Sequence, residues 1–232
     1  MAFREIVAPT VKELFIQQLE GMILSGELRP GDRLPTEREL ADEMKISKTV
    51  VHEGLRELHR LGFLDIASRR GVTVADYAQT GSLETLRAIM DFHGGLPDAK
   101  TAGSILQLRY YLEGPAMEEL AARHTPADMA ALQALQRQAE QAAQEETDAL
   151  AEALFRYHRG ITFLSGNTIT PLIFNAFATV NLAFWQEYVA AEGAARCLET
   201  LEQFTSYIES GDGKAAAALL RSGLDRFQQD RV

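Results

Sequence analysis

Cysteine is almost absent from this 232-residue chain: Cys197 is the only one. An intrachain disulfide and a cysteine-based zinc site are therefore excluded, and a reducing compartment fits that usage. Cys197 itself reads as an inert helical residue, with a reactive thiol as the alternative. Long apolar runs are missing too, since none reaches the roughly 18–20 residues that span a bilayer. Residues 1–6 carry no apolar signal-peptide region, so the expectation is a cytoplasmic protein with no membrane partner. The chain also lacks a glycine-rich phosphate loop, a nucleophile elbow, spaced metal ligands and a compelling Ser/His/Asp set. It is accordingly not expected to be an enzyme or to need a cofactor.

Positive charge is in short supply overall, with a net charge of −10. Its distribution is uneven. Residues 1–75 hold 11 Lys/Arg against 12 Asp/Glu, so nearly all of the excess acid lies further on. A near-neutral first third leaves room for a nucleic-acid-reading segment that the total would argue against. At 46 % hydrophobic residues the chain can bury real cores, and its length suits two domains of ordinary size.

The most informative stretch runs from Leu34 to Leu61. Thr36 and Glu39 have capping-box spacing ahead of a helix whose apolar positions are Leu40, Ala41 and Met44. A turn at Met44-Lys45-Ile46 follows, and Ser47 is a natural cap for a second helix. In that helix Val50, Val51, Leu55, Leu58 and Leu61 recur at helical spacing and form a buried face. Lys48, Thr49 and His52 are left outward at its start. This is a helix-turn-helix, which presents its second helix to base edges in the major groove. Before it, Val11, Leu14, Phe15, Leu19, Met22 and Ile23 predict a helix over residues 10–24. After it, Gly62 ends the run. Phe63, Leu64 and Ile66 begin a strand, Ser68-Arg69-Arg70-Gly71 makes a basic turn, and Val72-Thr73-Val74 returns. A two-stranded hairpin with a basic tip behind a helix-turn-helix is a winged helix. Gly54 sits inside the second helix at a cost of roughly 1 kcal/mol against alanine, and close approach of another backbone is one rationale.

The segment from Ile23 through Gly31-Asp32-Arg33-Leu34-Pro35-Thr36-Glu37-Arg38 to Ala41, with Ser47-Lys48-Thr49-Val50-Val51 and the Arg-Gly of the wing, resembles GntR-family bacterial transcription regulators. The resemblance covers about residues 10–75 and agrees in spacing and residue type throughout. It implies a homodimer that binds a short palindromic stretch of double-stranded operator DNA. It also implies that Arg38, Lys48, Thr49, His52, Arg69, Arg70 and Gly71 face that DNA. Three positions depart from the family pattern: Lys48 and His52 stand where arginine is usual, and Arg69 replaces a common wing glycine. Lysine cannot form the bidentate fork that arginine makes to guanine, so a shifted operator sequence is expected. For each of these residues an ordinary solvated charge is the alternative.

Residues 76–82 break the pattern and are expected to be a linker between a winged helix over 1–75 and an all-helical domain over 83–232. There, Leu83, Leu86, Ile89 and Met90 mark a short helix ended by Gly94-Gly95-Leu96-Pro97. A long helix follows from about Ala102 to Arg123 with a kink at Pro115, and a thin-faced helix opens at Thr125-Pro126. Thr147 caps a helix through Leu164, and further helices are expected near 170–190, 194–210 and 213–229. The predicted fold class is thus mostly α: a winged helix with a two-stranded wing, then an all-α bundle.

Leu108-Arg109-Tyr110-Tyr111-Leu112-Glu113, Phe163-Leu164-Ser165-Gly166-Asn167 and Ile208-Glu209-Ser210-Gly211-Asp212 resemble the FadR-like subfamily. That resemblance implies a bundle that supplies dimer contacts and binds a small effector inside. It also implies that effector binding alters the separation of the two winged helices. Many of these relatives hold a metal with one Asp and three His. The matching positions here are Leu154, His158, Leu201 and Gly223, so only His158 remains and no metal is expected. By subtraction the chain is closer to the metal-free, fatty-acyl-CoA-binding branch, and an organic acid or acyl-CoA-type effector is expected.

Candidate effector contacts are Arg109, Tyr157, His158, Asn167, Trp185 and Tyr207. Further aromatics, Phe163, Phe174, Phe177, Phe184 and Phe204, are shared between pocket and ordinary core. Arg109 either pairs with Glu113 or meets an anionic effector. Asn167 either caps a helix end or faces the pocket, and His158 is either a satisfied core histidine or a ligand contact. The leading expectation is a ligand-responsive regulator, usually a repressor. The alternative is an architectural or partner-binding DNA-binding protein whose bundle takes no small molecule.

Overall fold

The computed structural model describes residues 8–67, 71–92, 99–144 and 147–229. These fall into two compact units that divide between Phe92 and His93.

The first unit begins with α1 (Val11–Leu24), where the Thr10 hydroxyl accepts the Glu13 N–H at 3.2 Å and the Glu13 carboxylate accepts the Thr10 N–H at 2.7 Å. The same reciprocal cap, Thr36 with Glu39, starts α2 (Glu37–Met44). At the turn Lys45 adopts a left-handed φ of 55°, the only such residue besides glycines among those described. The Ser47 hydroxyl then accepts the Val50 N–H at 3.3 Å and opens α3 (Lys48–Arg60). Strands β1 (Leu64–Ala67) and β2 (Gly71–Val74) pair antiparallel, Leu64 opposite Val74 and Ala67 opposite Gly71. Phe15, Leu19, Ile23, Leu40, Val51, Leu55, Leu58 and Phe63 form the core. Capping and periodicity therefore placed these elements correctly. The stripe expected on α1 is narrower than predicted: Phe15, Leu19 and Ile23, spaced by four, are covered, while Val11 and Leu14 remain 51 % exposed. Leu14 lies about 100° round the helix from Phe15, outside the covered line.

Gly54 has a different rationale from the one expected. A Cβ there would stand 2.4 Å from Cδ1 of the buried Phe15 ring, so the neighbour it makes room for is a side chain on α1, not a backbone.

The residues expected to form a linker include a single helical turn, α4 (Tyr77–Thr80), and Tyr77 sets its ring edge-on to Phe63 with centroids 5.6 Å apart. Next, α5 (Leu83–Phe92) groups with the first unit rather than with the helical one. It is held by Phe92 against Gly21 and by a 3.1 Å hydrogen bond from Arg60 of α3 to Glu84. Such contacts join residues far apart in the chain, so composition around 76–82 could not reveal them.

The second unit is helical throughout its described residues: α6 (Ala99–Arg123), α7 (Pro126–Ala142), α8 (Thr147–Leu164), α9 (Thr170–Ala176), α10 (Ala178–Glu192), α11 (Ala194–Glu209) and α12 (Gly213–Gln229). Pro115 lies inside α6 without ending it. Helices α6 and α12 run antiparallel and close together. The Cβ position of Gly213 lies 2.4 Å from the Glu118 backbone, and that of Gly103 lies 2.6 Å from the Gln228 side chain. Thr125 and Asp128 form a third capping box at α7, with Pro126 in the first helical position. One helix was expected over 170–190, but two occur, broken at Phe177 (φ −101°, ψ 16°), whose side chain is buried. Phe163, counted among the pocket aromatics, is 71 % exposed on the end of α8.

Two outcomes follow for the first unit. Gly54→Ala gains helix propensity but forces Phe15 out of place. Overpacking of that kind costs about 1–3 kcal/mol, so its denaturation midpoint falls below wild type. Glu20, 7 % exposed on α1, has its carboxyl pushed up to about 7 by burial first and by Asp91 and Glu57 second. Its folded state thus holds a proton that the unfolded chain has lost, and stability declines as pH rises from the unfolded value of 4.5 toward 7. In urea titrations Glu20→Gln flattens that decline.

Candidate functional site

On the first unit, the Ser47 cap places Lys48, Thr49 and His52 in the opening turns of α3, all exposed, while Val51, Leu55 and Leu58 face inward. Arg38 projects from the first turn of α2 with its side chain 83 % exposed and its nearest acid, Asp42, 3.9 Å away. His52 Nδ1 lies 2.8 Å from Glu37 Oε1, which ties the head of α3 to the head of α2, and the His52 side chain is 54 % exposed. Gly71 is exposed at the start of β2 with φ 81°, and its Cβ position lies 3.2 Å from the Arg33 guanidinium. Arg69 and Arg70 lie outside the described residues. The arrangement gathers two cations, a hydroxyl and a ring nitrogen around the N-terminal end of a helix. Such an end also offers unpaired N–H groups to phosphate. Sequence reading missed Arg33 and Glu37 as members of this surface. Their partners, Gly71 and His52, stand 38 and 15 positions away, too far for any local pattern to signal.

On the second unit, the candidate site is interior. Arg109 and Glu113 are one turn apart on α6, 5 % and 0 % exposed, and pair through Arg109 Nε and Glu113 Oε1. His158 of α8, fully buried, brings Nδ1 to within 2.5 Å of the other carboxylate oxygen. The Arg109 guanidinium lies over the Trp185 ring of α10 at 4.3 Å, and the His158 ring stands 4.7 Å from the same indole. Burial would raise the Glu113 carboxyl. The charges and hydrogen bonds of Arg109 and His158 outweigh it and hold the carboxyl below its ordinary value. For His158 burial lowers the pKa below 6.5 and Glu113 opposes it in part. Arg109 Nη2 and His158 Nε2 are buried without a hydrogen-bond partner. Both residues line a cavity of about 40 Å3, together with Trp185, whose Nε1 is likewise buried without a partner, with Tyr188 and Cys197, and with an otherwise mostly apolar wall from α8, α11 and α12.

Of the expected effector contacts, the cavity thus brings together Arg109, His158 and Trp185. The other three are placed elsewhere. Tyr157 is buried behind the wall, its hydroxyl 2.8 Å from Thr205. The side-chain oxygen of Asn167 accepts the N–H groups of Ile169 and Thr170 ahead of α9, on a surface groove, and the left-handed residue at that helix end is Gly166. Tyr207 is half-buried on α11 and does not line the cavity. The two alternatives for Arg109 prove compatible, since one guanidinium edge pairs with Glu113 and another nitrogen stays unmet.

Leu154, His158, Leu201 and Gly223 all line this one cavity. Two leucines and a glycine supply no donor atoms, so these residues do not fit a metal ion. Among the described residues no group of three or more His, Cys, Asp or Glu is placed to hold one. No described helix is long and apolar enough to cross a membrane.

Comparison with known proteins gives two family matches: bacterial regulatory proteins of the gntR family over residues 12–74, and the FCD domain over residues 104–226. The chain is 31 % identical over 132 residues to the HTH-type transcriptional regulator Mce2R of Mycobacterium tuberculosis, a match over 57 % of this chain. It spans only about half (54 %) of that relative's length. It is 25 % identical over 191 residues to the fatty acid metabolism regulator protein of Klebsiella pneumoniae, covering 82 % of this chain and 77 % of that one. Among solved structures, Lar, described as controlling expression of the Listeria monocytogenes agr system, superposes with a TM-score of 0.63 at 15 % identity. That match covers 97 % of this chain and 98 % of Lar, a likeness of fold.

Removing one partner from a buried ion pair strands the other charge. Glu113→Ala is therefore expected to destabilise the helical unit by about 3–5 kcal/mol, read from urea unfolding of the full chain. Because the Glu113 pKa is depressed in the folded state, its contribution is present at neutral pH and is lost as pH falls through that folded value. The variant therefore loses less stability on acidification than wild type.

Proposed function

Since the chain belongs to the gntR family of bacterial regulatory proteins, as a DNA-binding transcription regulator carrying an FCD domain, we propose that it is a ligand-responsive repressor of the FadR-like branch. In this reading a homodimer grips a palindromic operator, and a small organic acid or acyl-CoA-type effector in the helical unit tunes that grip. Arg38, Lys48, Thr49 and His52 read or clamp the DNA, and Arg69, Arg70 and Gly71 of the wing sequence are assigned the same task. Arg38 serves as the principal base-reading cation, and Lys48 acts as a point charge where arginine would have formed a fork.

The observation that carries the effector half is the set of three unmet polar atoms, Arg109 Nη2, His158 Nε2 and Trp185 Nε1, on residues lining one cavity. Ordinary cores satisfy more than about 90 % of their buried polar groups, and three orphans on residues lining one cavity suit a polar guest. The similarity to fatty acid metabolism regulators over most of the chain supports the same branch.

Selection of bound duplexes from a random pool, followed by sequencing, tests the DNA half. A two-fold symmetric motif is expected. On that motif Arg38→Ala binds more weakly by about 1–3 kcal/mol, with the fold unchanged by circular dichroism. Unchanged affinity removes Arg38 from the reading surface.

A second reading, a DNA-binding protein whose bundle takes no small molecule, is favoured by one number. The cavity's 40 Å3 has room for little more than one water, whereas ligand pockets run from about 300 Å3. An effector would have to move the wall. Native mass spectrometry of gently purified protein separates the two readings. A dimer with added organic mass supports the effector, and a bare dimer moves weight to the ligand-free reading.

A further inference from the structure

Resting on the effector-pocket reading above, we propose that the helical-unit cavity takes an anionic guest together with one proton from solvent, and that His158 Nε2 receives the proton.

Charge balance in a dry site leads there. Arg109 and Glu113 cancel, and with Glu113 ionised His158 donates its Nδ1–H to that carboxylate. Its Nε2 then carries a bare lone pair at the cavity, beside the unmet N–H of Arg109 Nη2. An anionic head drawn to Nη2 would meet that lone pair and leave a net negative charge in a buried, mostly apolar site, which costs several kcal/mol. Protonation at Nε2 removes both faults, because the ring becomes a further donor and the four charges sum to zero.

No other group facing His158 can supply the proton balance near neutral pH. From α6 come only Arg109 and Glu113, both charged already. From α8 the neighbouring Tyr157 is held well above its ordinary value by burial and is engaged with Thr205. From α10 Trp185 does not titrate, and burial pushes Tyr188 up. From α11 the Cys197 thiol is pushed up to about 11, again by burial. The α12 wall presents only leucines, Gly223 and Phe227. In the empty cavity burial keeps His158 below 6.5, hence neutral at pH 7.

The probe is 1-octanesulfonate, whose head stays ionised at every working pH, so any proton taken up belongs to the protein. Trp185 is the only tryptophan of the chain and lines the cavity, so its fluorescence reports occupancy directly. Above the lowered value of free His158 the dissociation constant is expected to rise with pH, approaching about tenfold per unit. Calorimetry in two buffers of different ionisation enthalpy should count about one proton bound per subunit. His158→Gln should bind with no pH slope.

Saturable binding with no pH slope and no proton uptake overturns the proposal while leaving the effector pocket standing. A slope that persists in His158→Gln overturns the assignment to His158. If octanesulfonate, octanoate and octanol all leave Trp185 unchanged, the effector-pocket reading itself falls, and this proposal with it. Should His158→Gln fail to fold, the proton count on wild type decides.

Discussion

A carboxylate with no exposure to water is the constraint around which the helical unit is built. Left alone, Glu113 would cost several kcal/mol to bury as a charge. Its surroundings are the answer to that cost: Arg109 one turn back on the same helix, His158 brought across from α8, and Trp185 of α10 beneath the guanidinium. Phe204 of α11 closes on the His158 ring edge-on at 5.4 Å. Four helices are thereby fixed around one negative charge. The same requirement explains why the three leftover polar atoms are notable. A cluster this well matched on one side ends in a guanidinium nitrogen, an imidazole nitrogen and an indole nitrogen that meet no hydrogen-bond partner on the other.

The winged-helix unit depends on local chemistry instead. Three successive helices start on a Thr or Ser side chain that accepts a backbone N–H three residues on, and two of the three complete the reciprocal box with glutamate. Each cap sets where its helix begins, and so which side chains occupy the first exposed turn. For α3 those are Lys48, Thr49 and His52. Ser47 thus decides, through one hydrogen bond, which side chains the head of α3 presents to solvent.

That difference in construction decides what could be read from the chain. Caps, helical spacing and β-branched runs are short-range signals, and from them the helix-turn-helix, the hairpin and most helices of the second unit were legible. The exposure of Leu14, the break at Phe177 and the outward position of Phe163 were not. Each depends on which face a neighbouring helix happens to cover. The division before His93 was hidden for the same reason, since Gly21 and Phe92 are brought together only by folding. Arg109 and Glu113 could be paired from their spacing of four, but the third member stands 45 positions further on and nothing local announced the contact. Three of six expected effector contacts reach the cavity. The three that do not were chosen for residue type, and type does not say which way a side chain faces.

Gly223 has a consequence of another kind. It lies in the cavity wall, and outside its own stretch of α12 no atom stands within 4 Å of the place where a side chain would begin. Most positions around a packed interior are interlocked, so changing one obliges its neighbours to change as well. This one is not. A methyl, a hydroxyl or a larger group introduced there enters empty space and alters the shape and polarity of the wall in a single step. Gene duplicates of such a protein would have one position at which chemical preference could diverge while the bundle around it stayed the same.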